Sequence, residues 1–496
     1  MNNRWTIALA GTVVMMTLGA IYSWSLFSQP LIAAFGWSST TTTSAFALAM
    51  FFLALGAVVG GRWQDRVGPR TVTLTGVILW GTGNILAGLG TAHLGPWWIY
   101  LTYGVLGGFG VGMGYITAVA TVTKWFPERR GLGSGMAVMG FGLGAVLYNF
   151  IIRSTPSFSA AASGAARYAQ SRLASHTVPG IVDAAAPMLA AEQVNAVMNA
   201  FLGSGMVFVV LGGVAASLLA NPPIGYSHTG AVAADPSGPR PYTVRYTTRE
   251  MLRTHQFYLL WLMLFVNVSA GILVISNALP MMQELAGLTP EAAAAIYGGL
   301  CLFNALGRFF WGAISDRIGR KQTYLCLFGI QAAVFFLIGS LPQAVPVAIA
   351  IAVVLLCFGG GFGTMPSYCV DYFGTRHMGA NYGALLTAWG CAGIAGPLFG
   401  SQIRDLTGSF AGAFVPISVL LLLAMVLPLL ARRPASGQES AVTFRYRHTS
   451  PNVVDARRTD GRRRCNVCFL SGLRLHATAA RARLANCEFA TDRRGG

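Results

Sequence analysis

Arg308 stands in the middle of an apolar run near residues 292–314, whereas every other basic residue of the 496-residue chain lies at a run's end, in a polar segment or in the C-terminal stretch. A guanidinium at the centre of a bilayer costs at least about 2.5 kcal/mol, so it is expected to serve a polar partner. No acid lies mid-run to be that partner. Glu284 and Glu291 flank one loop, and Asp65, Glu128, Asp316 and Asp371 fall at run ends. An anionic ligand supplies the missing charge, and a carboxylate meets a guanidinium through two parallel hydrogen bonds. Asn304, one turn earlier on the same helical face, adds a hydrogen bond to the same anion.

Such a residue has to be held by membrane-spanning helices, and the composition requires them. Charged residues are 10% of the chain and hydrophobic residues 54%, with mean hydropathy +0.57, far from a soluble domain with about 25% charge. Apolar runs of the bilayer-crossing length recur near 5–27, 44–63, 71–91, 97–123, 131–152, 198–220, 256–280, 292–314, 323–341, 345–370, 382–402 and 411–430. The first run lacks a small-x-small cleavage site and is read as a span, not a signal peptide. The expectation is an all-α polytopic membrane protein of twelve helices in two six-helix bundles. Residues 1–152 hold spans 1–5, 153–197 an extracytoplasmic insertion and 198–220 span 6. Residues 221–255 form a cytoplasmic linker, 256–431 spans 7–12, and 432–496 an Arg-rich, disordered cytoplasmic tail.

The net charge of +18 suggests nucleic acid until its distribution is considered. From Arg432 onward there are 14 Arg and 5 acids, and the remaining basic residues collect in alternate loops. With both termini cytoplasmic, the outer side holds only Arg153, Arg167, Arg172 and Arg404, as positive-inside topology in a cell membrane requires. The lipid bilayer, not nucleic acid, is the implied partner. Gly131-Leu-Gly133-Ser-Gly135 opens an apolar span and reads as helix packing, and Cys465-Asn-Val-Cys468 with His476 and Cys487 fits no usual zinc spacing. No mid-run His, Glu or Cys cluster supports a membrane enzyme, and neither a metal nor a cofactor is expected.

The two halves repeat. Gly61-x-x-x-Asp65-Arg66-x-Gly68-x-Arg70 follows span 2, and Gly312-x-x-x-Asp316-Arg317-x-Gly319-Arg320-Lys321 follows span 8, with the two Asp 251 positions apart. Trp125-Phe126 and Tyr372-Phe373 repeat at an offset of 247. The loops read as a mechanical latch: Gly lets helices approach, and Asp and Arg exchange charge-assisted bonds and helix-dipole contacts across the bundle interface.

This duplicated loop resembles the signature of the major facilitator superfamily, which implies a carrier whose latch favours the outward-open state. Tyr22-Ser-Trp24-Ser-Leu-Phe-Ser-Gln-Pro30-Leu, Phe35-Gly-Trp-Ser38, Gly359-Gly-Gly-Phe362-Gly and Asn381-Tyr-Gly-Ala-Leu-Leu-Thr-Ala-Trp389-Gly look like the oxalate/formate antiporter family. That resemblance implies small organic anions as substrates and makes Arg308 the anion-binding residue. Tyr115 and Phe362 occupy equivalent positions of the two halves, and with Phe358 and Trp389 they are expected to line the pocket. Oxalate carriers of the family are expected to hold a second cation, Lys, where Trp389 stands. One cation suits one carboxylate, so lactate, pyruvate or formate is favoured over oxalate. Anion exchange and proton symport both remain open, with protons a partner only in the second, and the carrier is expected to work as a monomer. The rival readings are an oxalate/formate exchanger and a carrier for sugars or drugs.

Overall fold

A computed structural model of the chain describes residues 3–177, 189–223, 226, 246–341, 343–407 and 411–434. The linker from 227 to 245 and the Arg-rich tail beyond Pro434 lie outside the described residues. Ten described helices are long and apolar enough to cross a membrane. Spans 1–6 are Arg4–Trp24, Thr40–Val67, Pro69–Leu94, Pro96–Trp125, Arg130–Ser154 and Ala191–Ser217. Span 7 is His255–Ala286, span 8 Pro290–Ile318, span 9 Arg320–Ile338 and span 10 Ala344–Phe373. Span 11 is broken into Met378–Leu385 and Thr387–Thr407, and span 12 runs through Gly412–Leu430. Spans 8 and 11, which carry Arg308 and Trp389, complete the ten to twelve rods.

The two halves pack by one plan. Span 1 lies on spans 4 and 5 as span 7 lies on spans 10 and 11; span 3 pairs with span 6 as span 9 pairs with span 12. Between the halves, span 5 runs along span 8 and span 2 along span 11. Small residues make these approaches possible, as lipid-embedded helices demand. A Cβ on Gly61 would overlap the Gly379 carbonyl, and one on Gly312 would meet the Gly131 carbonyl.

Two ends differ from expectation. Span 1 does not stop near residue 27: after a tight 3₁₀ turn at Ala20–Trp24 it continues as Ser25–Phe35, with Pro30 inside. Gly36, at φ +66°, terminates it by donating its N–H to the Ile32 carbonyl. Span 6 begins at Ala191, not 198, because a polar first turn hides its start. The insertion contains a helix, Pro156–Thr177, that caps the end of the molecule far from the arginine-bearing loops. It packs on Ser25–Phe35 and on spans 5 and 6, with Phe158 edge-on to Phe27 at 5.5 Å and Leu189 donating its N–H to the Ala33 carbonyl at 3.2 Å.

Candidate functional site

Arg308 is fully buried where span 8 faces span 5 of the other half. Glycines at 359 and 363 of span 10 let span 8 come this close, since a Cβ on either would overlap the Asn304 or Arg308 carbonyl. Asn304 Oδ1 accepts from Arg308 Nε at 3.4 Å, the contact expected of a residue one turn earlier. Arg308 Nη1 donates across the interface to the Val138 carbonyl at 3.2 Å. The guanidinium lies 5.4 Å from the Phe141 ring centre on one side and 5.1 Å from Phe362 on the other. Each such contact is worth about 0.5–2 kcal/mol, which offsets part of the desolvation cost. Arg308 makes no ion pair among the described residues.

An aromatic cage closes around this cation. Trp389 lies 4.8 Å from Phe362, 5.3 Å from Tyr115, 5.7 Å from Phe141 and 6.0 Å from Tyr22, ring centre to ring centre. Tyr22 and Tyr115 each meet Phe141 edge-on, at 5.2 and 5.3 Å. Four buried polar atoms of the cage complete no hydrogen bond of good geometry among the described residues: Arg308 Nη2, the Tyr22 hydroxyl, which faces Arg308 and Trp389, the Tyr115 hydroxyl, which faces Tyr382, and Trp389 Nε1. Leaving such groups unsatisfied costs about 1–3 kcal/mol each. A carboxylate, acceptor-only, has about four lone-pair positions to meet them.

Of the residues expected in the pocket, Arg308, Asn304, Tyr115, Phe362 and Trp389 come together. Phe358 stands behind Phe362, 5.4 Å from it, and packs over Gly271 of span 7, so it buttresses the cage wall. Tyr22 and Phe141 were not singled out from sequence. Each sits in an apolar span with no charge or repeat to mark which way it faces.

The arginine-bearing end is closed by the duplicated loops. Asp65 accepts the N–H groups of Gly379 and Ala380, at 3.3 and 2.9 Å, where span 11 begins. Asp316 accepts those of Gly131 and Leu132, both at 2.8 Å, where span 5 begins. Each carboxylate thus caps the N-terminus of a helix in the opposite half. Gly68 and Gly319, at φ +92° and +90°, turn the chain into spans 3 and 9. Arg320 pairs with Asp316 at 2.8 Å and with Asp371 at 2.9 Å, and Arg130 reaches Asp371 at 2.9 Å. Of the arginines expected in the latch, Arg320 makes these pairs, whereas Arg66, Arg70 and Arg317 are exposed and make no ion pair among the described residues; Lys124, 3.6 Å from Asp65, stands in at the first copy. Beside this closure the linker re-enters: Asn381 donates to the Tyr246 carbonyl and accepts from Thr248. There the Thr247 backbone and hydroxyl donors hold the Glu250 carboxyl below its usual pKa.

The profile of the Major Facilitator Superfamily matches residues 7–155, 184–397 and 259–459. The oxalate:formate antiporter of Oxalobacter formigenes is 30% identical over 417 residues, 82% of this chain and 87% of that one. The chain belongs to the major facilitator superfamily, in its oxalate/formate antiporter family. Apicoplast pyruvate carrier 1 of Toxoplasma gondii is 26% identical over 82% of this chain and 83% of its own. The crystal structure of the E. coli fucose:proton symporter, 15% identical, superposes on 86% of this chain and 98% of its own with a TM-score of 0.60, which shows the shared fold. This superfamily protein is therefore a multi-pass membrane transporter.

Proposed function

We propose that this transporter carries small monocarboxylates by alternating access, with the arginine-bearing end and both termini in the cytoplasm. The supporting observation is the buried Arg308, which makes no ion pair among the described residues, with three further polar atoms around the same space that complete no hydrogen bond of good geometry there. One carboxylate balances one guanidinium, and two oxygens can engage Arg308 Nη2, the tyrosine hydroxyls and the Trp389 indole N–H. Phe362 and Phe141 form an apolar wall suited to a short hydrocarbon tail. In this closed geometry the Arg308 charge is partly satisfied by Val138 and Phe141 of the opposite half. Rocking the halves apart removes those contacts, and a bound anion replaces them. An empty carrier lacks that replacement and reorients slowly, which favours exchange; a co-transported proton offers the other route.

A second reading, exchange of the dianion oxalate, is favoured by the 30% identity to the oxalate:formate antiporter. Trp389 separates the two, because it fills with a neutral ring the position where a second cation is expected.

The test is uptake of labelled lactate, formate and oxalate by proteoliposomes, with and without internal anion and with and without an inward proton gradient. Monocarboxylate uptake lost in Arg308→Ala and kept in Phe358→Leu is the expected result. Uptake equal in Arg308→Ala and the parent would remove the central claim. Trp389→Lys is expected to move preference toward oxalate, and an unchanged preference discards the charge-counting argument.

A further inference from the structure

A second recess lies outside the cage, where span 2 of one half meets spans 7 and 11 of the other. This crevice of about 470 Å³ is lined by Val58 on one wall and by Leu252, Phe257, Tyr258, Trp261 and Thr387 on the other. Its own polar groups are already used: the Trp261 indole donates to Thr387 Oγ1 at 2.9 Å and the Tyr258 hydroxyl to the Leu252 carbonyl at 3.1 Å. What remains is an apolar slot with an open mouth, since Tyr258 is 56% and Leu252 37% exposed. Two basic residues adjoin this lining along the chain. Arg253 follows Leu252 directly, and Arg62 lies one helical turn beyond Val58 toward the same end. Both are exposed, and neither forms an ion pair among the described residues.

We propose that this crevice seats an anionic phospholipid of the surrounding leaflet, one acyl chain lying against Phe257 and Trp261 and the phosphate held between Arg62 and Arg253. An aqueous anion would gain nothing from the apolar slot, and a neutral lipid nothing from the two guanidinium groups. Basic rims on crevices between spanning helices are suited to such headgroups.

The seat has a mechanical consequence. Its walls belong to opposite halves, so it exists in this form only while the Asp65 contact holds span 2 on span 11. A ligand that binds one state better shifts the population toward it. The lipid therefore favours closure at this end. It also touches Thr387, just past the break in span 11 and two residues before Trp389 of the cage.

The test uses full-length protein purified from membranes of equal phosphatidylglycerol and phosphatidylcholine content and examined by native mass spectrometry. Parent protein is expected to retain phosphatidylglycerol about tenfold over phosphatidylcholine. Arg62→Gln/Arg253→Gln is expected to lose that preference, Arg62→Lys/Arg253→Lys to keep most of it, and Val58→Trp, which fills the slot, to retain neither lipid. Gel filtration verifies that each variant is folded, and all three substituted positions stand outside the cage and the helix-capping contacts. Equal retention of both lipids by the parent, or a preference that survives either the Gln pair or Val58→Trp, overturns the proposal.

Discussion

Asp65 and Asp316 make the same contact in the two halves, a carboxylate accepting two backbone N–H groups at the start of a helix across the interface, yet their surroundings are unlike. Around Asp316, Arg320 and Arg130 converge on Asp371, and Ser134 of span 5 adds a bond to the Gly363 carbonyl at 2.7 Å. Around Asp65 the ionic support is Lys124 at 3.6 Å. The difference is written at equivalent positions of the repeat: Pro69 stands where Arg320 does, Lys124 where Asp371 does, and His377 where Arg130 does. Duplication kept the helix-capping carboxylate, which needs only its place on the chain, and let the surrounding charges diverge. The contact between spans 5 and 8 is consequently the firm edge of the closure, and that between spans 2 and 11 the yielding one.

Labelling of Cys369 by a maleimide, in a chain whose other cysteines are Ser, measures this asymmetry, because Cys369 is fully buried in span 10 beside the closed end. Charge-assisted hydrogen bonds contribute about 1.5–3 kcal/mol each, and about 1.4 kcal/mol is tenfold in a population. Asp316→Ala, which removes two such bonds and a partner of Arg320, is expected to raise the labelling rate most, by about a hundredfold or more. Asp65→Ala, which removes two such bonds but only a long ion pair, should raise it less than Asp316→Ala does; an effect equal to or larger than that of Asp316→Ala would reverse the ranking of the two edges. Asp371→Asn, which loosens the Arg320 and Arg130 pairs but leaves the Asp316 caps in place, is expected to give about threefold. Lys124→Gln is the smallest change, under about twofold, since its pair is long; a tenfold effect there would show that the two edges are ionically alike.

The parts of this arrangement legible in the sequence are those in which one residue type is anomalous or repeated. Arg308 was visible because no other cation sits mid-span, and Asn304 because helical spacing fixes its neighbours. Tyr115 and Phe362 were found through the repeat, and both line the cage. Tyr22 and Phe141 were not, since one aromatic among many in an apolar helix carries no sign of its direction when lipid and protein interior are equally apolar. The same holds for Arg130 and Asp371, 241 positions apart, whose pairing follows from the docking of two bundles. Twelve spans were countable from hydropathy, but the end of span 1 was not, because Pro30 reads as a stop and is accommodated after a 3₁₀ turn.

In the cycle proposed above, the buried guanidinium of the cage also makes the carrier sensitive to voltage in one half of its steps. With a monocarboxylate bound, the site is neutral and its reorientation moves no net charge. Empty, it carries one positive charge whose exposure switches from the potential of one compartment to that of the other, a change worth up to about 2.3 kcal/mol per 100 mV. An inside-negative membrane therefore draws the empty site toward the cytoplasm and leaves the loaded one indifferent. In the proposed cycle, a cell at full membrane potential would hold its unloaded carriers ready for export, and depolarisation would remove that bias.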